Sequence, residues 1–123
     1  IKPLVAGGLD IDAKNISGKT ALHGAAILGK TEWAEALIEN GADLNAKDDY
    51  NYTPLHWSVI NFHEAPQSEK KFYIEVAEIL ITKGADINAI ARNGVTPLDK
   101  TIFRGNKEMA DLLRKHGGIS GKK

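Results

Sequence analysis

The sequence predicts an all-α fold built as a stack of short repeated units. The first observation is a tetrapeptide in three near-copies: TALH at 20–23, TPLH at 53–56 and TPLD at 96–99. The second is a pentapeptide that repeats in step with it: GLDID at 8–12, GADLN at 41–45 and GADIN at 84–88. Both motifs recur after 33 and then after 43 residues, and apolar residues at helical spacing follow each tetrapeptide. A stack offers a long surface rather than a buried cleft, so this pattern favours binding over catalysis.

Two helices are predicted in the first complete unit, residues 15–47. Thr20 is suited to cap a helix that starts at Ala21, because its side chain can accept a free amide of the first turn. Gly29 can end this helix in a left-handed conformation. Thr31 is expected to cap the second helix. The inward stripe of that helix is predicted to contain Trp33, Ala34, Leu37 and Ile38.

The second unit, 48–90, carries ten extra residues near 62–71. Pro66 disfavours a helical conformation of the residue before it, so the first helix is expected to end by Glu64. Ser68 is expected to cap an outer helix of about 15 residues. The inward side chains of that helix are predicted to be Phe72, Val76, Ile79 and Leu80. The insertion has two interpretations: a contact specific to a partner, or a tolerated extension, since long loops add little closure entropy.

The third unit, 91–123, repeats the pattern and is predicted to be a C-terminal cap. Thr96 opens a helix that is expected to end near Gly105, and Asn106 is expected to cap a helix over 107–116. The inward side chains of the last helix are predicted to be Met109, Ala110, Leu112 and Leu113. Residues 1–14 match only the end of a preceding unit. We therefore expect the natural polypeptide to begin earlier, or another chain to cover the open face of the first unit.

Composition argues against several classes of function. Sixteen basic and sixteen acidic residues cancel, so the chain has no surplus of positive charge for nucleic acid or an anionic membrane. The sequence contains no cysteine, which excludes disulfides and thiolate metal sites. The carboxylates of Asp48 and Asp49 fall in a predicted exposed turn, where they are expected to be solvated. No motif for catalysis or phosphate binding is present, so no enzyme activity, cofactor, metal or small-molecule substrate is expected.

The repeated TPLH and GADLN motifs resemble the ankyrin repeat, and the resemblance covers nearly the whole chain. It implies a solenoid of antiparallel helix pairs, with β-hairpin fingers on one side and a concave face that binds other proteins. It also implies that His23 and His56 serve packing and hydrogen bonding. For Asn45 and Asn88 the resemblance implies that they tie down a turn, or alternatively that they are hydroxylated, as in similar eukaryotic proteins.

The resemblance also indicates where a partner protein would bind. Carried over position by position, the variable fingertip and inner-helix sites are Lys19, Ile27, Leu28, Lys47, Asp49, Tyr50, Tyr52, Ile60, Asn61, Arg92, Asn93, Val95, Phe103 and Arg104. Tyrosine, phenylalanine and arginine are enriched among the residues that dominate protein interfaces. The alternative is that some of these side chains pack between units.

Three hypotheses for function follow. The first is a non-catalytic module that binds a partner protein through its concave face. The second is a targeting or regulatory segment of a longer enzyme or effector with upstream domains. The third is a structural spacer, for which no partner exists.

Overall fold

The computed structural model of the protein describes residues 11–102 and 107–119, apart from the side chains of His63, Glu64, Asn93 and Ile102. Six α-helices lie in this part of the chain: α1 (Ala21–Leu28), α2 (Thr31–Glu39), α3 (Pro54–Glu64), α4 (Lys70–Thr82), α5 (Pro97–Ile102) and α6 (Lys107–Lys115). The predicted all-helical class is confirmed. The described residues contain no strand, so the hairpin character of the fingers is not confirmed. The predicted end near Gly105 and the cap at Asn106 lie outside the described residues.

The inner helices α1 and α3 begin at reciprocal capping boxes. The side chain of Thr20 accepts the backbone N–H of His23, and the His23 ring accepts the backbone N–H of Thr20. Thr53 and His56 form the same pair at the start of α3. The helix α1 ends at Gly29, whose φ of 67° is left-handed. The predicted caps of α1, Thr20 and Gly29, are therefore confirmed, and in both helices the histidine side chain satisfies a further free amide.

The outer helices begin differently from the prediction. Thr31 is already helical, and its hydroxyl donates to the Glu75 carboxylate at 3.2 Å instead of capping α2. Ser68 lies inside a 3₁₀ turn, Gln67–Glu69, so α4 starts at Lys70 without a side-chain cap. Both predicted caps were wrong. In each case the chain around the predicted cap is already in a helical or 3₁₀ turn.

Two aromatic side chains depart from the predicted inward stripes. Trp33 is 60% exposed, so its ring is not part of the buried face of α2. Phe72 is 39% exposed, and Tyr73 is buried in its place. The buried stripe of α4 consists of Tyr73, Val76, Ala77 and Leu80, at the spacing of one helical face. The prediction had assigned Phe72, the residue before Tyr73, to this buried face.

The helices pack in two rows. The inner helices α1, α3 and α5 lie side by side, α2 packs against α4, and each inner helix also contacts its outer partner. Leu22, Leu55 and Leu80 are fully buried in one hydrophobic cluster that is shared between the units. The small side chain of Ala26, also fully buried, lets α1 approach its neighbours closely. Stability therefore depends on interfaces between units as much as on contacts within one unit.

The inserted residues lengthen the second helix pair. The helices α3 and α4 contain 11 and 13 residues, against 8 and 9 in α1 and α2. The Tyr73 hydroxyl donates to the carbonyl of Ile27 at 3.0 Å, and the Lys70 ammonium donates to that of Phe62 at 2.7 Å. The carbonyl of Ile27 lies near the end of α1, where carbonyls lack an amide partner from their own helix. That of Phe62 lies near the end of α3 and also accepts the amide of Ala65, at 3.4 Å. The lengthened α4 therefore supplies hydrogen-bond donors to the ends of α1 and α3.

Candidate functional site

Three finger loops precede the inner helices: residues 14–20, 47–53 and 90–96. In the first loop, the Oδ1 atom of Asn15 accepts two amides of its own turn at 2.9 Å. In the second, Asp48 Oδ1 accepts the amides of Tyr50 and Tyr52 at the same distance. A left-handed residue lies at the same place in each loop: Gly18, Asn51 and Gly94. Each tip is thus a turn with a fixed backbone, and its outward side chains have defined positions.

Backbone hydrogen bonds tie the tips to one another. The amide of Asp49 donates to the carbonyl of Ser17 at 3.1 Å. The amide of Arg92 donates to the carbonyl of Tyr50 at the same distance. The three tips therefore lie side by side in a fixed register.

Lysine side chains add a second set of links between the loops. The Lys14 ammonium donates to the carbonyl of Lys47 at 2.9 Å, and the Lys47 ammonium donates to that of Ile90 at 3.1 Å. Each exposed lysine thus reaches the same place in the following unit.

The carboxylate of Asp48 is the centre of a buried cluster. Asp48 is only 4% exposed, so the expectation that it is solvated was wrong. The Trp57 indole N–H donates to its Oδ2 at 2.9 Å, and the Lys19 ammonium lies 3.6 Å from the same oxygen. Burial by itself raises the pKa of Asp48, but hydrogen bonds from Trp57, Tyr52 and Tyr50 outweigh it and lower the pKa below 3.8. Asp48 is therefore an ionised carboxylate at neutral pH.

Aromatic rings and cations alternate next to this cluster. Lys19 lies 4.9 Å over the Trp57 ring, whose centroid is 5.4 Å from that of Tyr52. On the other side, Lys100 lies 5.0 Å over the Tyr52 ring. Trp57 and Lys100 were absent from the predicted site. The repeat register could have found them, because Gly24, Trp57 and Lys100 stand at the same position of the three inner helices.

The predicted site residues do not all share one surface. Lys47, Asp49, Tyr50 and Arg92 are exposed on the tips, and Tyr50 is 56% exposed with the Arg92 guanidinium 5.0 Å over its ring. Half-buried side chains on the loops and on α1 and α3 are Lys19, Ile27, Tyr52, Ile60 and Asn61. Val95 is 9% exposed, so its side chain offers little surface to a partner. Phe103, Arg104 and the side chain of Asn93 lie outside what the structure describes.

Leu28 lies on a second surface. An apolar depression of about 410 Å³ between α1 and α2 is lined by Ala21, Gly24, Ala25, Leu28, Trp33, Ala36 and Leu37. In the second unit, the residues in register with Ala21 and Leu37 are buried, namely Pro54 and Leu80. The depression is thus a face that is covered in the next unit and open in this one.

The histidines of the capping boxes link each unit to the next. The ring of His23 lies 2.9 Å from the carbonyl of Tyr52, and that of His56 lies 3.0 Å from the carbonyl of Val95, each through Nε2. A carbonyl only accepts, so Nε2 carries a proton, whereas Nδ1 accepts the amide of the capping threonine and carries none, which makes the ring neutral. Burial lowers the pKa of His56 to about 4 and also lowers that of His23. The described residues contain no group of three side chains that could hold a metal.

The repeated capping boxes and paired helices agree with a comparison against protein families. A family model described as ankyrin repeats (3 copies) matches residues 1–91. The chain belongs to the ankyrin repeat family. Ankyrin repeats are generally non-catalytic protein–protein interaction modules. No helix in the described ranges combines the length and apolar character that a bilayer crossing requires.

Relatives share an ankyrin segment with this chain within much longer proteins. A Rickettsia bellii protein named for ankyrin repeats is 44% identical over 45 residues, which cover 37% of this chain and 19% of that protein. The inactive serine/threonine-protein kinase TEX14 of Bos taurus is 39% identical over 61 residues, or 50% of this chain and 4% of the kinase. A palmitoyltransferase of Saccharomyces cerevisiae is 37% identical over 54 residues, or 44% of this chain and 7% of the transferase. The chain thus spans less than a fifth of the length of these relatives.

Proposed function

We propose that this ankyrin chain is a non-catalytic module that binds a partner protein through its finger–helix face. That face consists of Lys14, Lys19, Lys47, Asp49, Tyr50, Tyr52, Trp57, Ile60, Asn61, Arg92 and Lys100. The observation that carries the proposal is the fixed register of the tips, in which the amides of Asp49 and Arg92 bond the preceding loop. A rigid surface loses little conformational entropy on binding, so its contacts contribute more fully to affinity.

The proposal treats the chain as one repeat domain. Its units at 15–47, 48–90 and 91–123 stack as a solenoid, with the end of a preceding unit at 1–14. The finger loops act as β-hairpin-like projections, and α1, α3 and α5 form the floor behind them. Support comes from the side-by-side contacts of these three helices.

Tyr50 is the side chain with which we test this function. Replacing the exposed Tyr50 with alanine is expected to weaken a genuine partner by about 2 kcal/mol, the loss typical of an interface anchor. The melting temperature should stay nearly unchanged, since the ring is 56% exposed. Wild type and Tyr50→Ala are compared by affinity capture from native lysate, followed by calorimetry with each captured protein.

The matched control is Phe72→Ala, which removes an exposed ring of α4 away from the finger loops. It should leave capture unchanged. If Tyr50→Ala captures every partner as well as wild type does, the finger–helix face is not the binding surface.

A second candidate is that the chain is a targeting or regulatory segment of a longer enzyme or effector. The relatives favour it, because an inactive kinase and a palmitoyltransferase each contain a similar ankyrin stretch as a small part of their length. The complete gene discriminates between the two candidates. In a catalytic polypeptide, Tyr50→Ala would alter the choice of substrate or the cellular location while leaving turnover of a small model substrate intact.

A further inference from the structure

The charges of this chain cancel in total but are unevenly distributed. The finger–helix face carries five cations: Lys14, Lys19, Lys47, Arg92 and Lys100. Among the described side chains of the finger loops and inner helices, Asp48 and Asp99 are buried, which leaves Asp49 as the exposed carboxylate. The outer helix α2, in contrast, presents three exposed glutamates and no cation. The finger–helix face is therefore cationic although the net charge of the chain is zero.

Most of these cations remain available to a ligand. Lys19 lies beside Asp48, at 3.6 Å. Lys14 and Lys47 each donate to one carbonyl, and an ammonium has three hydrogens to donate. Arg92 and Lys100 lie over tyrosine rings, which attract a cation without neutralising its charge. Within the described side chains, no carboxylate forms an ion pair with Lys14, Lys47, Arg92 or Lys100.

The aromatic rings lie between the cations. Trp57 and Tyr52 form an edge-to-face pair that is flanked by Lys19 on one side and Lys100 on the other. Tyr50 and Arg92 continue the alternation at the tips. Such a surface is complementary to carboxylates spaced by aromatic or apolar side chains. The carboxylates would meet the cations, and the rings would pack against the exposed parts of Tyr50 and Trp57.

We propose that the finger–helix face binds an acidic segment of a partner protein that carries aromatic side chains between its carboxylates. The inference rests on the proposed function and names the chemistry of its partner. A protein segment fits better than nucleic acid. A regular polyanion draws its affinity from a surplus of positive charge, whereas acidic residues elsewhere on this chain offset these five cations.

The two tryptophans of the chain provide the reporter. The Trp33→Phe variant retains Trp57 in the face, whereas Trp57→Phe retains only Trp33 on the outer helix α2. Each variant is titrated with three probes: poly(Glu,Tyr), poly(Lys,Tyr) and single-stranded poly(dT). We expect poly(Glu,Tyr) alone to change the Trp57 fluorescence, and the response to weaken as salt is raised. The Trp33 signal should not respond to any of the three probes.

Charge reversal tests the location. The double variant Arg92→Glu and Lys100→Glu is expected to bind poly(Glu,Tyr) about 10-fold or more weakly, because attraction becomes repulsion at two sites. The control is the double variant Lys71→Glu and Lys83→Glu, with one change on α4 and the other at the residue after it. It alters the net charge by the same amount, and it should bind poly(Glu,Tyr) nearly as wild type does. The neutral pair Arg92→Gln and Lys100→Gln should give an intermediate loss. All three are checked for an unchanged melting temperature.

Each contrary outcome is distinct. Tighter binding of poly(dT) than of poly(Glu,Tyr) would overturn the proposal in favour of nucleic acid. Equal losses from the two reversed pairs would show attraction to the whole chain and would also overturn it. If no polymer binds while a captured partner still depends on Tyr50, the acidic chemistry is wrong and the interaction function stands. If no polymer binds and no captured partner depends on Tyr50, both proposals fail.

Discussion

The side chain of His56 illustrates how one residue joins two units. Its Nδ1 accepts the backbone N–H of Thr53, and its Nε2–H donates to the carbonyl of Val95 in the next unit. In the third unit Asp99 stands at this position, and its Oδ2 accepts the N–H of Thr96 at 3.0 Å. A carboxylate reproduces the capping half of the histidine, but an ionised one has no hydrogen to donate to a further carbonyl.

This geometry makes stability depend on pH. Protonation of Nδ1 would place a hydrogen against the N–H of Thr53, so the folded state prefers the neutral ring. The pKa of His56 is about 4 when folded and 6.5 when unfolded. Its contribution is complete above pH 6.5 and is lost as the pH falls towards 4, by about 3 kcal/mol in all. His23, whose pKa is also lowered, adds a loss in the same direction.

Urea denaturation at a series of pH values checks this expectation. The variant His56→Gln can still donate and accept through its amide, but it does not titrate. It should be less stable than wild type near neutral pH and should show a shallower decline in acid. An identical decline in both proteins would mean that His56 is not the titrating group. Asp48 titrates mainly below this range, because its pKa is 3.8 when unfolded and lower when folded.

At the scale of the element, one helical position has different surroundings in each unit. Trp33, Val76 and Met109 stand eight residues before the glycines that follow their helices. Val76 and Met109 are fully buried, whereas Trp33 is 60% exposed. A side chain at this position should therefore contribute less to the free energy of unfolding in the first unit than in the other two.

Alanine substitution measures that difference. Met109→Ala is expected to destabilise the protein by about 2–5 kcal/mol, through lost burial and a cavity. Trp33→Ala should lower the free energy of unfolding by about 1 kcal/mol or less, since its ring already contacts solvent. Denaturant unfolding of the two variants gives both values. Equal losses would show that Trp33 is covered in solution.

Local chemistry explains which elements the sequence could predict. The starts of α1 and α3 depend on a threonine cap and an amide within the same turn. They can therefore be predicted from neighbouring residues in the sequence. The starts of the outer helices were missed because they depend on distant contacts. The hydroxyl of Thr31 bonds Glu75, and the face of α4 is set by Tyr73 reaching Ile27.

The candidate site was predictable in outline only. The ankyrin resemblance located the tips, because its variable positions were carried over one by one. It did not reveal that Asp48 is buried, because a turn carboxylate usually faces solvent, or that Trp57 turns its indole N–H to it. Nor did it reveal the cationic face, since the five cations come from three separate loops and one helix.

At the scale of the molecule, side chains of the turns connect successive units. Asp12 Oδ1 accepts the amide of Asp43 at 2.9 Å, and Asn45 Oδ1 accepts that of Asp86 at 2.7 Å. Asn88 continues the series by accepting the amide of Ile119 at 2.8 Å. These bonds repeat from unit to unit and lie beside the helix interfaces. In such a stack each unit is stabilised mainly by its neighbours, so a lost link should act locally.

Hydrogen exchange tests that expectation with two variants. Asn45→Ala removes the central link and should cost about 1 kcal/mol, the value of one hydrogen bond. Because Asn45 lies between the first two helix pairs, exchange should quicken in α1 and α2 as well as in α3 and α4. Asn88→Ala removes the equivalent link between the second and third helix pairs, together with the bond from its side-chain amide to the carbonyl of Gly117, and faster exchange should stay within α3 to α6. If Asn88→Ala quickens exchange in α1 as much as in α6, the units unfold together and coupling between neighbours does not govern this chain.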